Sequence, residues 1–137
     1  MIKLIKSLWG SKILLVSAFL YTAAITIGSL ISSEDIPKLE VAISDKLIHF
    51  VAYGFLVFIC FLYSFVTFKH VSYLKNLLIV ALFSFIYGII IEALQGVVVL
   101  SREADFQDII ANFAGISFAV LILVLIRKKI LNLKSIN

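Results

Sequence analysis

Four apolar runs divide this chain: Ile13–Ile31, Phe50–Phe68, Leu77–Leu100 and Ile109–Ile126. Each reaches or approaches the ~20 residues that carry a helix across ~30 Å of hydrocarbon. Only helices and closed barrels satisfy their backbones in lipid, and runs this continuous are helical. The pattern predicts an all-α integral membrane protein, a four-transmembrane-helix bundle with helices over about 13–31, 46–68, 77–100 and 106–127. These form one domain over 1–137, with no internal repeat, low-complexity tract or soluble module. The only proline, Pro37, falls in the polar Ser32–Ser44 connection, which reads as a loop. Lys3, Lys6 and Lys12 precede the first run as they would precede a signal peptide. That run is long for such a segment and no small-residue cleavage site follows it, so it reads as a retained helix.

The polar positions are as patterned as the apolar ones. A charged side chain well inside a bilayer costs roughly 2.5–3.5 kcal/mol, yet Glu92, Gln95, Asp108 and Asn112 lie inside or at the edge of apolar runs. With a rise of about 1.5 Å per residue, His49 and Tyr53 lie about 6 and 12 Å into the second helix. Glu92 lies about 12 Å before Leu100, and Asp108 and Asn112 about 5 and 10 Å beyond Asp105. All fall in one slab of the membrane. Turning ~100° per residue, Asp45, His49 and Tyr53 share an arc of ~80°, as do Asp105, Asp108, Asn112 and Gly115. Glu92 and Gln95 are an i, i+3 pair. Polar stripes turn away from lipid, so these should converge on a cleft at one end of the bundle. The first helix offers only hydroxyls there: Tyr21, Thr22 and Thr26.

Composition agrees. The 137 residues are 63% hydrophobic with a mean hydropathy of +1.17, against an apolar share of ~45–50% in soluble domains. A water-soluble fold is excluded. The net charge of +4 does not point to nucleic acid, because the basic residues flank apolar runs. Nine of the twelve Lys and Arg residues lie in the N-terminal tail, the Lys69–Lys75 loop and the tail after the fourth run. By the positive-inside rule both termini are cytoplasmic, the 32–44 and 101–105 segments face outward, and the protein sits in the cell (plasma or inner) membrane. Trp9 and Tyr73 read as interfacial anchors. Cys60, inside an apolar run, reads as an inert buried thiol, and His70 as solvated.

The polar set has a plain reading and a chemical one. Plainly, Glu92, Gln95 and Asn112 hydrogen-bond between helices, Asp45 and Asp105 cap helices, and Gly115 with Ala119 makes a small-residue packing surface. Chemically, His49, Glu92 and Asp108 form an acid–base set, with Glu92 or His49 moving a proton and Asp108 orienting the imidazole. Asp45, Lys46, Tyr53, Gln95, Arg102, Asp105 and Asn112 then line a binding site, with Arg102 and Lys46 gripping an anionic group. Carboxylates with one histidine can hold a divalent ion, but HExxH and paired-cysteine spacings are absent, so no metal or cofactor is expected. No Gly-rich phosphate loop or serine–histidine arrangement is present. Three functions stay open: an envelope enzyme acting on a lipid-linked substrate, a binding or transport module for an anionic headgroup, and a structural subunit. The expected partners are the bilayer and a lipid-linked envelope precursor or anionic headgroup, not nucleic acid; the sequence does not define the oligomeric state.

In order and combination, Asp45-Lys46-x-x-His49-Phe50-x-x-Tyr53, Glu92-x-x-Gln95 and Arg102-x-x-Asp105-x-x-Asp108-x-x-x-Asn112-x-x-Gly115 resemble the VanZ-like membrane proteins. The resemblance covers roughly Ile43 to Ala119, with the expected helix before it. It implies a small bacterial membrane protein with about four helices, in which these polar positions are the signature set. The name-giving member is linked to resistance to the glycopeptide teicoplanin. This chain reads as a minimal version without an added domain, so resistance does not carry over with the motif. It departs from many relatives at Ala119, where they have a second glycine, which bears on helix spacing alone.

Overall fold

Helices form where the apolar runs predict them. The computed structural model describes residues 8–30, 45–98 and 105–135, which hold helices α1 (Leu8–Leu30), α2 (Asp45–Thr67), α3 (Tyr73–Val98), α4 (Phe106–Leu125) and α5 (Arg127–Ser135), and no strand among them. Four are long and apolar enough to cross a membrane, over Gly10–Leu30, Asp45–Thr67, Tyr73–Val98 and Phe106–Leu125. The chain is a multi-pass membrane protein.

Side-chain pairs give the directions. Ser11 meets Thr67 and Tyr21 meets Ala52, so α1 and α2 run antiparallel. Tyr87 bonds the Thr22 carbonyl and Gln95 the Ser29 carbonyl, so α1 and α3 run parallel. Lys46 meets Asp105 and His49 meets Asn112, so α2 and α4 run parallel. The first turns of α2 and α4 therefore share an end of the bundle with the last turns of α1 and α3.

The α2–α4 pair has the most extensive contact, and small residues make it so. A Cβ on Gly54 would lie 3.1 Å from the Gly115 carbonyl oxygen, and a Cβ on Gly115 would fall on the Phe50 carbonyl. The two backbones touch, as small-residue helix crossings in membranes allow. Each helix turns one stripe inward: His49, Tyr53, Leu56, Val57, Phe61 and Ser64 from α2, and Asp108, Asn112, Gly115, Ile116, Ala119 and Leu123 from α4. The opposite faces expose Phe19, Val51, Phe83, Phe113 and Leu125, as a lipid-facing surface requires.

Two expectations are corrected at the other end of the bundle. Tyr73, read as an interfacial anchor, is buried. Its ring packs on Phe61 and Phe65, and its hydroxyl donates to the Leu123 carbonyl at 2.7 Å. That carbonyl belongs to the last turn of α4, where intrahelical donors run out. Tyr73→Phe is expected to cost about 1 kcal/mol, read as a lowered unfolding midpoint in detergent. The basic segment after the fourth run, for which the sequence pattern predicts no separate helix, is wound into α5 after a break at Ile126. Ile130 and Leu131 pack it against the core, and the Arg127 guanidinium lies 5.8 Å from the Tyr73 ring centre. The spacing of its apolar residues makes the helix worth forming. The Trp9 side chain and the 32–44 segment lie outside the described residues.

Candidate functional site

Asp45 opens α2 and Asp105 caps α4, its carboxylate accepting from the Gln107 N–H at 2.8 Å. An aspartate suits that place because the first-turn N–H groups of a helix lack partners. Lys46, one residue into α2, ion-pairs with both Asp105 and Asp108 and straps α2 to α4. The ammonium first, then the Gln107 N–H, hold the Asp105 carboxyl below the usual carboxylate range.

One turn further in stands His49. Its Nδ1 lies 3.1 Å from the Asn112 amide oxygen and 3.5 Å from Glu92 Oε1. Its Nε2 lies 3.7 Å from Asp108 Oδ2 and 4.0 Å from Asp45 Oδ1. An amide oxygen only accepts, so this contact is a hydrogen bond in the tautomer that carries its hydrogen on Nδ1. The side that orients the imidazole is thus held by Asn112 and Glu92, while Asp108, expected in that role, faces the other nitrogen. Glu92 is 1% exposed. Behind it lies Tyr53, whose hydroxyl, like the Asn112 amide nitrogen, is buried with no hydrogen-bond partner among the described residues. Two donors are thus held beside the cluster without an acceptor.

Gly88 lets α3 approach this close. A Cβ there would meet Tyr53 Cε1 at 3.0 Å and the Asn112 amide nitrogen at 3.3 Å. Sequence reasoning missed it, although it stands four residues before Glu92 and so on the same face. Gln95 was grouped with the site but turns toward α1, donating to the Ser29 carbonyl at 2.6 Å. Thr26 and Tyr87 extend that seam, their hydroxyls 2.7 Å apart. His49, Glu92, Asp108 and Asn112 are thus brought together with Asp45, Lys46 and Tyr53 around them. Arg102 lies outside the described residues.

A cleft of about 390 Å³ opens between α1 and α2. Ala24, Ile25, Ile48 and Ala52 make its apolar walls; Asp45, His49 and Tyr53 make its polar lining. Gly28 also lines it, and a Cβ there would meet nothing within 4 Å. A second groove, about 270 Å³ between α2 and α4, is walled by Phe50, Phe55, Phe58 and Phe118 and carries no charged group.

The family model described as VanZ/LLP1 matches residues 9–127. No curated protein and no solved structure matches the chain.

Proposed function

This chain belongs to the VanZ/LLP1 family, and from that premise we propose that it binds a lipid-linked or otherwise anionic component of the cell envelope. The headgroup docks at the His49–Glu92–Asp108 cluster and the chain lies in the α1–α2 cleft. The observation that carries this reading is the cleft itself: walls that match acyl chains lead to a histidine and a tyrosine beside a buried carboxylate. A polar head and an apolar tail fit one continuous surface. The unpartnered Tyr53 hydroxyl and Asn112 amide supply donors to an anionic oxygen. Positive-inside counting supports an outward position for this end of the bundle with both termini in the cytoplasm, and the reading takes the membrane to be the cell membrane.

The His49–Glu92 pair adds a proton-handling couple, as an envelope enzyme needs. Glu92→Gln keeps the shape and hydrogen bonding and removes the carboxylate. Lys46 favours a second reading, in which the cluster only clamps helices, because its ammonium is engaged by Asp105 and Asp108.

Gly28→Trp separates the two. Its side chain enters the cleft from a position with open space around the Cβ, so the bundle folds while the cleft is filled. Protein purified in mild detergent is expected to carry envelope lipid, detected by mass spectrometry of extracts, and Gly28→Trp to lose it at an unchanged unfolding midpoint. Glu92→Gln, which keeps the shape of the site, is expected to retain the lipid. Equal lipid in the wild type and Gly28→Trp would leave the clamp reading standing.

A further inference from the structure

Asp45, His49 and Asp108 each present a ligand atom, and these atoms lie within 4.8 Å of one another. We propose that this cluster binds one divalent first-row metal ion, of the manganese or zinc class, through His49 Nε2 and the Asp45 and Asp108 carboxylates. The proposal rests on the lipid-binding reading only for its use, which is to hold an anionic headgroup at the mouth of the cleft.

Three features support it. The first is the direction of the imidazole. The His49 side chain is 8% exposed, and its Nδ1 faces the Asn112 amide oxygen at 3.1 Å. Its Nε2 then points between two carboxylate oxygens at 3.7 and 4.0 Å, beyond hydrogen-bond length. A ring nitrogen facing two carboxylates calls for a positive charge among them, which a proton or a metal ion supplies. The second is the outer layer. Histidines on metals hand their other N–H to a carboxylate or carbonyl, and here Asn112 and Glu92 hold that place. Lys46 likewise fixes Asp108 through Oδ1, leaving Oδ2 toward His49.

The third is charge. Among the described residues this end holds the carboxylates of Asp45, Glu92, Asp105 and Asp108, and the Lys46 ammonium paired with the last two. A divalent ion among these carboxylates would present positive charge where an anionic headgroup must dock. Bonds of about 2.0–2.2 Å to nitrogen and oxygen place ligand atoms on one tetrahedral ion roughly 3.3–3.6 Å apart, so the most widely separated side chains need to close in by about 1 Å or slightly more. An imidazole with two carboxylates selects against magnesium and calcium, which prefer all-oxygen sites.

The test uses the full chain, purified in detergent and stripped with chelator, with manganese chloride alone as the probe. Paramagnetic resonance is expected to show one bound ion per chain, with spin-echo modulation from a coordinated imidazole nitrogen, displaced by zinc. His49→Gln should abolish the modulation, and Asp45→Asn, at a partly exposed position, should weaken binding roughly tenfold or more. His70→Gln, on the exposed loop, and Glu92→Gln should keep one ion. Equal binding in all variants, no binding, or a nitrogen signal that survives His49→Gln overturns the site. The arms separate from the lipid reading: if the ion binds and Gly28→Trp changes no lipid, only the lipid reading fails. If chelated protein retains its lipid and manganese does not bind, only the metal proposal fails.

Discussion

Gly115→Leu is expected to leave no folded protein in the membrane, and Gly115→Ala to cost about 1–3 kcal/mol, the usual range for overpacking. The added carbon falls on the carbonyl of Phe50, which is backbone and cannot turn aside. α2 must move off α4, and the movement reaches Lys46, Asp108, His49 and Asn112, because the same two helices carry them. Gly28→Ala is the control. Its Cβ meets nothing, and although Gly28 stands in the last described turn of α1, replacing a helical glycine by alanine is favourable, by at most roughly 0.5–1 kcal/mol. The same substitution at two glycines thus has opposite signs, read as unfolding midpoints in detergent. A shared sign would show that the α2–α4 approach is not the tight crossing described.

The second large effect concerns the clamp. Asp105 and Asp108 engage the same ammonium, but the Asp108 side chain is 8% exposed and that of Asp105 43%. The ammonium left behind is the same in both cases, so the difference lies in screening: water weakens the pair with the exposed carboxylate far more than the pair with the buried one. Asp108→Ala is therefore expected to cost about 2 kcal/mol, less than for a fully buried pair because Lys46 is partly exposed and keeps Asp105. Asp105→Asn is expected to cost distinctly less than Asp108→Ala, since asparagine caps a helix nearly as well. Cycles against Lys46→Met isolate the coupling of each pair. A Lys46–Asp105 coupling equal to that of Lys46–Asp108 would contradict the difference in burial.

Period and depth were legible along the chain. The long apolar runs required membrane helices, and the 3.6-residue turn put Asp45, His49 and Tyr53 on one face and Asp108, Asn112 and Gly115 on another. The rise per residue placed these stripes and Glu92 at one level. Such quantities are local, set by a single helix and the cost of facing lipid.

What depends on a partner helix was decided only in the assembled bundle. Gln95, one turn from Glu92, could have faced either neighbour, and it turns to Ser29 of α1. Lys46 could have reached outward for an anion, and it is held between two carboxylates of α4. Tyr73 had the composition of an interfacial anchor, and packing made it a buried donor to Leu123. Gly88 gave no signal of its own because a missing side chain matters only where another helix arrives. Sequence by itself determined the helices, their inward faces and the level of the polar residues; the rotation and spacing of each helix against its neighbours decided which groups touch. The physical reason is that periodicity belongs to one helix, whereas a contact is a difference in position between two.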